Sequence, residues 1–181
     1  NLSGDYGYCE KFDCNTIALS GDNAALALDF NVHNGTLDFA SDTAAGTGAI
    51  TLINNDDRIG EISFTSAAPA MGNLYGDGGT YVHLSSGTQL TVNQTSDGTY
   101  NGTIDGAGGL IKSGAASLAL TGTNLYGGGT FINQGTLLAS NGDALGSGTV
   151  TINGGSLSLG AGVVLANPLA FGGAGGLLGG N

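Results

Sequence analysis

The chain has 181 residues, of which 36 are glycine, 40% are hydrophobic and only 9% are charged. Disordered chains combine low hydrophobicity with high net charge, so this composition indicates a folded protein. Three basic residues against fourteen acidic ones give a net charge of −11, which excludes nucleic-acid binding and disfavours attraction to anionic lipid. No run of about 18 apolar residues could span a bilayer, and we expect no membrane insertion of this segment.

The N-terminal segment differs from the rest of the chain. Residues 1–22 contain both cysteines, Cys9 and Cys14, and do not resemble the repeats at later positions, so we predict an N-terminal cap of a repeat structure. Four intervening residues would let a turn bring the two thiols together, and an oxidising exterior would keep them bonded. This spacing predicts a disulfide within the cap. The alternative, half of a metal site, lacks a second cysteine pair and a nearby histidine.

Residues 23–181 read as short strands in which apolar residues alternate with polar ones, separated by glycine turns. The Gly-Thr pair at 129–130 recurs at 148–149, and the leucine at Leu137 recurs at Leu157. A two-sheet sandwich would not show this self-similarity. The period predicts an all-β fold, a parallel β-helix (β-solenoid) with about 19–20 residues per rung.

A segment at 54–83 interrupts this pattern, and we predict a loop insertion there. Loops carry recognition more often than scaffolds do, although an ordinary long turn is the simpler interpretation. The chain stops at residue 181 without a polar cap, so we expect that further rungs were cut away. The candidate binding residues in the insertion are Asp56, Asp57, Arg58, Pro69, Met71, Tyr75 and Asp77.

The segment 108–137 contains an ordered motif of the form G-x-L-x-K-x-G, L-x-L-x-G-x-N-x-Y-x-G, G-T-x-I and G-T-L. The matching positions are Gly108, Leu110, Lys112, Gly114, Leu118, Leu120, Gly122, Asn124, Tyr126, Gly128, Gly129, Thr130, Ile132, Gly135, Thr136 and Leu137. This motif resembles the passenger-associated repeat of bacterial autotransporters, and similar sequence continues at 157–171. The resemblance is therefore strongest over 108–181.

The resemblance implies a type V secreted protein that folds outside the cell as a right-handed parallel β-helix. It places the segment at the bacterial surface, as an outer-membrane-anchored passenger, or in the medium. Such passengers serve as adhesins, self-association factors, toxins or stalks for a protease domain. The repeat carries no catalytic residues to transfer and implies no cofactor.

Enzyme chemistry finds little support in the residues. His33 and His83 are the only candidates for a serine hydrolase base, and alternation from Val82 turns His83 outward. Asp56 and Asp57 could form part of a glycosidase or calcium site, but aspartates in such a segment favour a turn in any case. We therefore predict no catalytic residues and no metal site.

The leading hypothesis is a non-enzymatic passenger segment for adhesion, self-association or contact with a host receptor. Its partners would be a host cell-surface protein or glycan, or other copies of itself. The alternative is a passive stalk that aids secretion and displays another domain. A weaker alternative is a polysaccharide-active β-helix enzyme, which would need carboxylates clustered in one groove.

Overall fold

A computed structural model describes residues 8–12, 14–172 and 177–180. This part of the chain forms a parallel β-helix with three sheets along its sides. Sheet 1 contains β1 (Tyr8–Lys11), β3 (Asp29–Val32), β5 (Ile50–Leu52), β9 (Leu74–Gly76), β12 (Gly98–Tyr100), β15 (Ser117–Leu120), β17 (Thr136–Ala139), β19 (Ser156–Leu159) and β21 (Leu177–Gly180). The parallel β-helix fold predicted from the sequence is therefore confirmed.

The other two sheets are shorter and leave some rungs with irregular backbone on one side. Sheet 2 contains β2 (Ile17–Leu19), β4 (Gly35–Phe39), β6 (Asn54–Asn55), β7 (Arg58–Phe64), β10 (Tyr81–Leu84) and β13 (Thr103–Gly106). Sheet 3 contains β8 (Ala70–Met71), β11 (Gln89–Asn93), β14 (Gly109–Ser113), β16 (Thr130–Ile132), β18 (Val150–Ile152) and β20 (Leu169–Phe171). No helix in the described ranges is long and apolar enough to cross a membrane.

The strand register shows why the sequence repeats. Leu118 lies opposite Leu137, and Leu137 in turn lies opposite Leu157, so equivalent positions recur after about 20 residues. These leucines are fully buried, because alternate side chains of each strand point into the helix. Stacking equivalent positions of successive rungs therefore builds one continuous hydrophobic core.

Two rungs are longer than the predicted period. The register places Ile50 opposite Leu74, and it places Gly76 opposite Tyr100. Each of these rungs therefore contains a few residues more than the rungs that stack at the leucine positions.

The extra residues of the first long rung form a hairpin at one corner. Before this corner Val32 faces Leu52 at the ordinary spacing, whereas after it Gly35 faces Gly60, further along the chain. The antiparallel hairpin of β6 and β7 takes up the difference, and it turns through Asp56 with a φ of 56°.

The N-terminal segment differs from the predicted disulfide cap. Residues 1–7 and 13 lie outside the described residues, but β1 and β2 pair with β3 and β4 as an ordinary first rung. Cys14 is an exposed free cysteine, so the predicted disulfide between Cys9 and Cys14 is not present. Cys9 lies in β1 opposite Phe30, and an extended strand leads the chain away at about 3.3 Å per residue instead of turning back.

Candidate binding groove

An open groove of about 640 Å³ runs across the outer face of sheet 1. It crosses five consecutive rungs and follows two adjacent rows of outward positions. One row runs from Tyr75 through Thr99, Ala119 and Leu138 to Ser158, and the other contains Asp97, Ser117 and Thr136. These residues are far apart in the chain and become neighbours only through rung stacking.

Tyr75 provides the aromatic surface of the groove. Its neighbours Leu74 and Gly76 are buried, so strand alternation turns the tyrosine outward, where it is half-buried. The ring lies against the backbone of the next rung: a Cβ atom on Gly98 would lie 2.7 Å from Tyr75 Cε1 and would also collide with Gln94 Nε2. The absence of a side chain at Gly98 therefore leaves the space that the Tyr75 ring occupies.

The buried Gln94 side chain supports this rung from inside. Its Oε1 accepts a hydrogen bond from the Leu74 N–H at 3.1 Å, and its Nε2 donates to the Ser96 carbonyl oxygen at 2.9 Å. Both polar ends of a fully buried amide are thus satisfied, as burial requires. Gln94 fixes the strand that carries Tyr75.

Few of the polar side chains in the groove form hydrogen bonds within the protein. Asp97 Oδ1 accepts a hydrogen bond from the Ser117 N–H at 2.8 Å, which orients the carboxylate along the groove. The four serine and threonine hydroxyls of the groove hydrogen-bond to no other group in the described part of the protein: Thr99, Ser117, Thr136 and Ser158. They are available to a ligand.

The outer face of sheet 2 contrasts with this groove because its polar groups bond to one another. His83 points outward, as the alternation predicted, and its Nδ1 lies 2.8 Å from Asp105 Oδ1. Its Nε2 lies 3.8 Å from Glu61 Oε2. The neighbouring Ser63 hydroxyl donates to Asp38 Oδ1 at 2.7 Å. A serine, a histidine and acids are therefore close together, but the serine is bonded to a carboxylate and not to the imidazole.

Most of the predicted insertion at 54–83 forms strands of ordinary rungs, and its candidate binding residues lie at different places in the fold. Asp56, Asp57 and Arg58 are exposed at the hairpin. Pro69 and Met71 are buried, and Met71 faces Val92 in the core, so neither can contact a partner.

The remaining two candidates lie elsewhere. Tyr75 lines the groove, and the exposed Asp77 accepts a hydrogen bond from the Asn54 N–H through its Oδ2 at 3.1 Å. Asp77 thus has a structural role in holding the hairpin. Across the described ranges, no three His, Cys, Asp or Glu side chains are grouped so that they could hold a metal ion.

Sequence reasoning missed most of the groove. The short strand β12, which carries Thr99, was not predicted. Ser117 and Thr136 lie beside Leu118 and Leu137 of the repeat motif, so their outward direction followed from the sequence. Their proximity did not, because it depends on the register between rungs. A search of outward positions one period apart would have found both rows from Asp97 and Thr99 onward, but not Tyr75, which faces Thr99 across one of the two long rungs.

Comparisons with known proteins agree with the fold. Residues 110–139 match the passenger-associated-transport-repeat family, within the segment where the sequence showed its resemblance. Over 77 residues, 42% of the chain, the sequence is 38% identical to an extracellular serine protease of Serratia marcescens. The matched stretch spans only 7% of the length of that relative.

No solved structure is significantly similar to the chain. The repeat, the extracellular relative and the stacked parallel rungs nevertheless agree with one another. Together they show that the chain is a segment of a bacterial autotransporter passenger, exposed at the cell surface or secreted.

Proposed function

We propose that this passenger segment is a non-enzymatic contact surface that attaches to host cells through the groove on sheet 1. The observation that supports this most directly is the set of four serine and threonine hydroxyls that lie beside Tyr75 without a hydrogen-bond partner in the described part of the protein. Concave surfaces that combine an apolar platform with a few oriented polar groups are typical binding sites. Binding to other copies of the segment would use the same kind of surface.

The absence of enzyme activity is part of this proposal. Nucleophilic catalysis needs a serine hydrogen-bonded to its base, whereas Ser63 donates to Asp38. The relative from Serratia marcescens is a serine protease by name, but the matched stretch is a small part of it. The shared segment therefore gives no reason to assign that activity to this chain.

A passive stalk remains the second candidate. The nine strands of sheet 1 form one uninterrupted parallel ladder, and a rigid rod of this kind could display another domain at a distance. The two functions make different predictions for the isolated segment. A stalk folds and binds nothing, whereas a contact surface binds cells in a saturable way.

Flow cytometry with the purified, fluorescently labelled segment tests the proposal. We expect saturable binding to host cells, and we expect Tyr75→Ala to reduce it at least tenfold. Tyr81→Ala is the matched control, because Tyr81 is a half-buried outward tyrosine on sheet 2, stacked on His83. Binding to the producing bacteria alone would indicate self-association, and a folded segment that binds neither would leave the stalk.

A further inference from the structure

We infer that the groove on sheet 1 binds a neutral oligosaccharide, laid along the helix axis with about one sugar unit per rung. This inference rests on the proposed function and names its ligand class. The row of the groove that contains Tyr75, Ala119 and Leu138 is called the apolar row, and the row of Asp97, Ser117 and Thr136 is called the polar row.

The apolar row offers a platform for sugar rings. Tyr75 presents an aromatic face beside Gly98, and beyond Thr99 the row continues with Ala119 and Leu138 on later rungs. A tyrosine ring combines an apolar body with a polar tip, which suits the C–H face of a pyranose and its flanking hydroxyls. The rise between rungs is about 4.8 Å, so five rungs give a groove about 19 Å long. That length accommodates roughly four sugar units, one for each interval between rungs.

The polar row has the hydrogen-bonding chemistry that sugars need. The hydroxyls of Ser117 and Thr136 lie on neighbouring rungs and can both donate and accept. Asp97 begins the row with an oriented carboxylate, which can accept two bonds from adjacent sugar hydroxyls. Leaving these groups unpaired against a ligand would cost binding free energy, so a ligand rich in hydroxyls fits better than an apolar one.

Charge disfavours the binding of acidic glycans. Asp97 is the charged residue in the groove lining, and no cation lines it. Lys11 and Lys112 are buried, which leaves Arg58 at the hairpin as the exposed basic residue of the chain. With a net charge of −11, the surface repels sialylated or uronic-acid chains.

An extended peptide fits the groove less well. Peptides that bind to sheets usually pair with an edge strand, where backbone N–H and C=O groups are open. The groove lies on the face of sheet 1, across the interior strands β12, β15 and β17, whose backbone groups bond to the neighbouring rungs. A peptide there would find only side chains for its amide groups.

Isothermal titration calorimetry with the intact segment tests the inference. The probes are neutral glucose, galactose and N-acetylglucosamine oligosaccharides of one to six units, with a sialylated oligosaccharide as the charged counterpart. We expect at least one neutral series to bind, with affinity that rises up to about four units, the number of intervals between the five rungs, and then levels off. The sialylated probe should bind at least tenfold more weakly.

Variants locate the binding. Tyr75→Ala should weaken the best neutral probe at least tenfold, and Thr136→Val should weaken it severalfold while keeping the side-chain shape. Tyr81→Ala should leave the affinity unchanged, and circular dichroism checks that each variant is folded. Absence of binding by every neutral series, or equal losses in Tyr75→Ala and Tyr81→Ala, would overturn the inference.

Cell binding separates this inference from the broader proposal. Enzymatic removal of host surface glycans should abolish binding of the labelled segment. If the segment still binds the treated cells and Tyr75→Ala still weakens that binding, the groove contacts a protein, and the glycan inference is wrong while the proposed function stands.

Discussion

The ammonium group of Lys112 donates a hydrogen bond to the carbonyl oxygen of Gln134, 3.2 Å away on the following rung. It also donates to the carbonyl oxygens of Ser113 and Gly114, at 2.7 and 2.9 Å. The side chain is fully buried, in a position where its partners on the adjacent rungs are Val92 and Ile132. The Lys112 ammonium group thus joins two rungs at the corner after sheet 3. The equivalent positions of the adjacent rungs carry apolar side chains instead.

This burial predicts an unusual pH dependence. Burial lowers the pKa of Lys112 to about 8 from 10.5, so the unfolded chain holds this proton more tightly than the folded one. The free energy of unfolding should therefore rise as pH increases from about 8 to about 10, by about 2 kcal/mol. Urea unfolding at intervals across this range measures it.

Lys112→Met is the control for that prediction. It fills a similar volume without a charge and should remove the rise. The range stops near pH 10 because burial raises the pKa of Tyr100 and of Tyr126. Their folded state resists losing the phenolic proton, so stability falls as pH rises further. An equal rise in the wild type and in Lys112→Met would contradict the assignment.

Asn124 connects three rungs through its side chain. Its Oδ1 accepts from the Ile104 N–H at 2.7 Å, and its Nδ2 donates to the Ala144 carbonyl oxygen at 2.6 Å. Because the amide is buried, Asn124→Ala leaves both backbone groups unpaired. We expect a loss of about 2–4 kcal/mol in the free energy of unfolding, measured by urea denaturation. Asn93→Ala, at an exposed strand end, should cost less than about 0.5 kcal/mol.

Gly122 lies where two rungs approach too closely for any side chain. A Cβ atom there would collide with the Gly102 carbonyl oxygen and lie 2.9 Å from the Asn101 carbonyl oxygen. Because these are backbone atoms within the stack, Gly122→Ala should lower the free energy of unfolding by about 1–3 kcal/mol. Gly127→Ala is the matched control, since the nearest atom would be Ser147 Oγ at 4.0 Å. Similar losses in both variants would show that space at Gly122 is not the cause.

Cys14 should behave as an accessible thiol. It is exposed and free, so iodoacetamide should modify it in the native protein without prior reduction. Mass spectrometry after digestion reads the modification at this position, and Cys14→Ser should leave the melting temperature unchanged. Protection of Cys14 until a reductant is added would show that a disulfide forms after all.

The fold was predictable because each rung repeats one physical solution. Alternation in strands such as Val150–Ile152 identifies the buried side chains, and the leucine period identifies how rungs stack. The contacts between rungs were not predictable in the same way. Lys112 follows the inward alternation from Leu110, but burying a cation is unfavourable, and only the structure shows the three carbonyl groups that compensate.

Local irregularities also escaped the pattern. The strand that contains Met71 has only two residues, too few for alternation to show. A sequence with proline and glycine around it therefore resembled a loop, although pairing with Val92 places Met71 in the core. The groove was not predicted from the sequence for a related reason. Tyr75 and Gly98 meet across one of the two long rungs, whose length departs from the period that the sequence showed.

The distribution of basic residues has a consequence for proteolysis. Trypsin-like proteases cut after lysine or arginine, and of the three such residues in this chain Lys11 and Lys112 are enclosed by the folded rungs. Arg58, at the exposed hairpin, is left as the accessible cleavage point. A cut there would divide the chain without separating it, because β4 and β10 flank β7 on either side and hold the new end in the stack. The folded segment would thus persist as a nicked but intact rod in protease-rich surroundings.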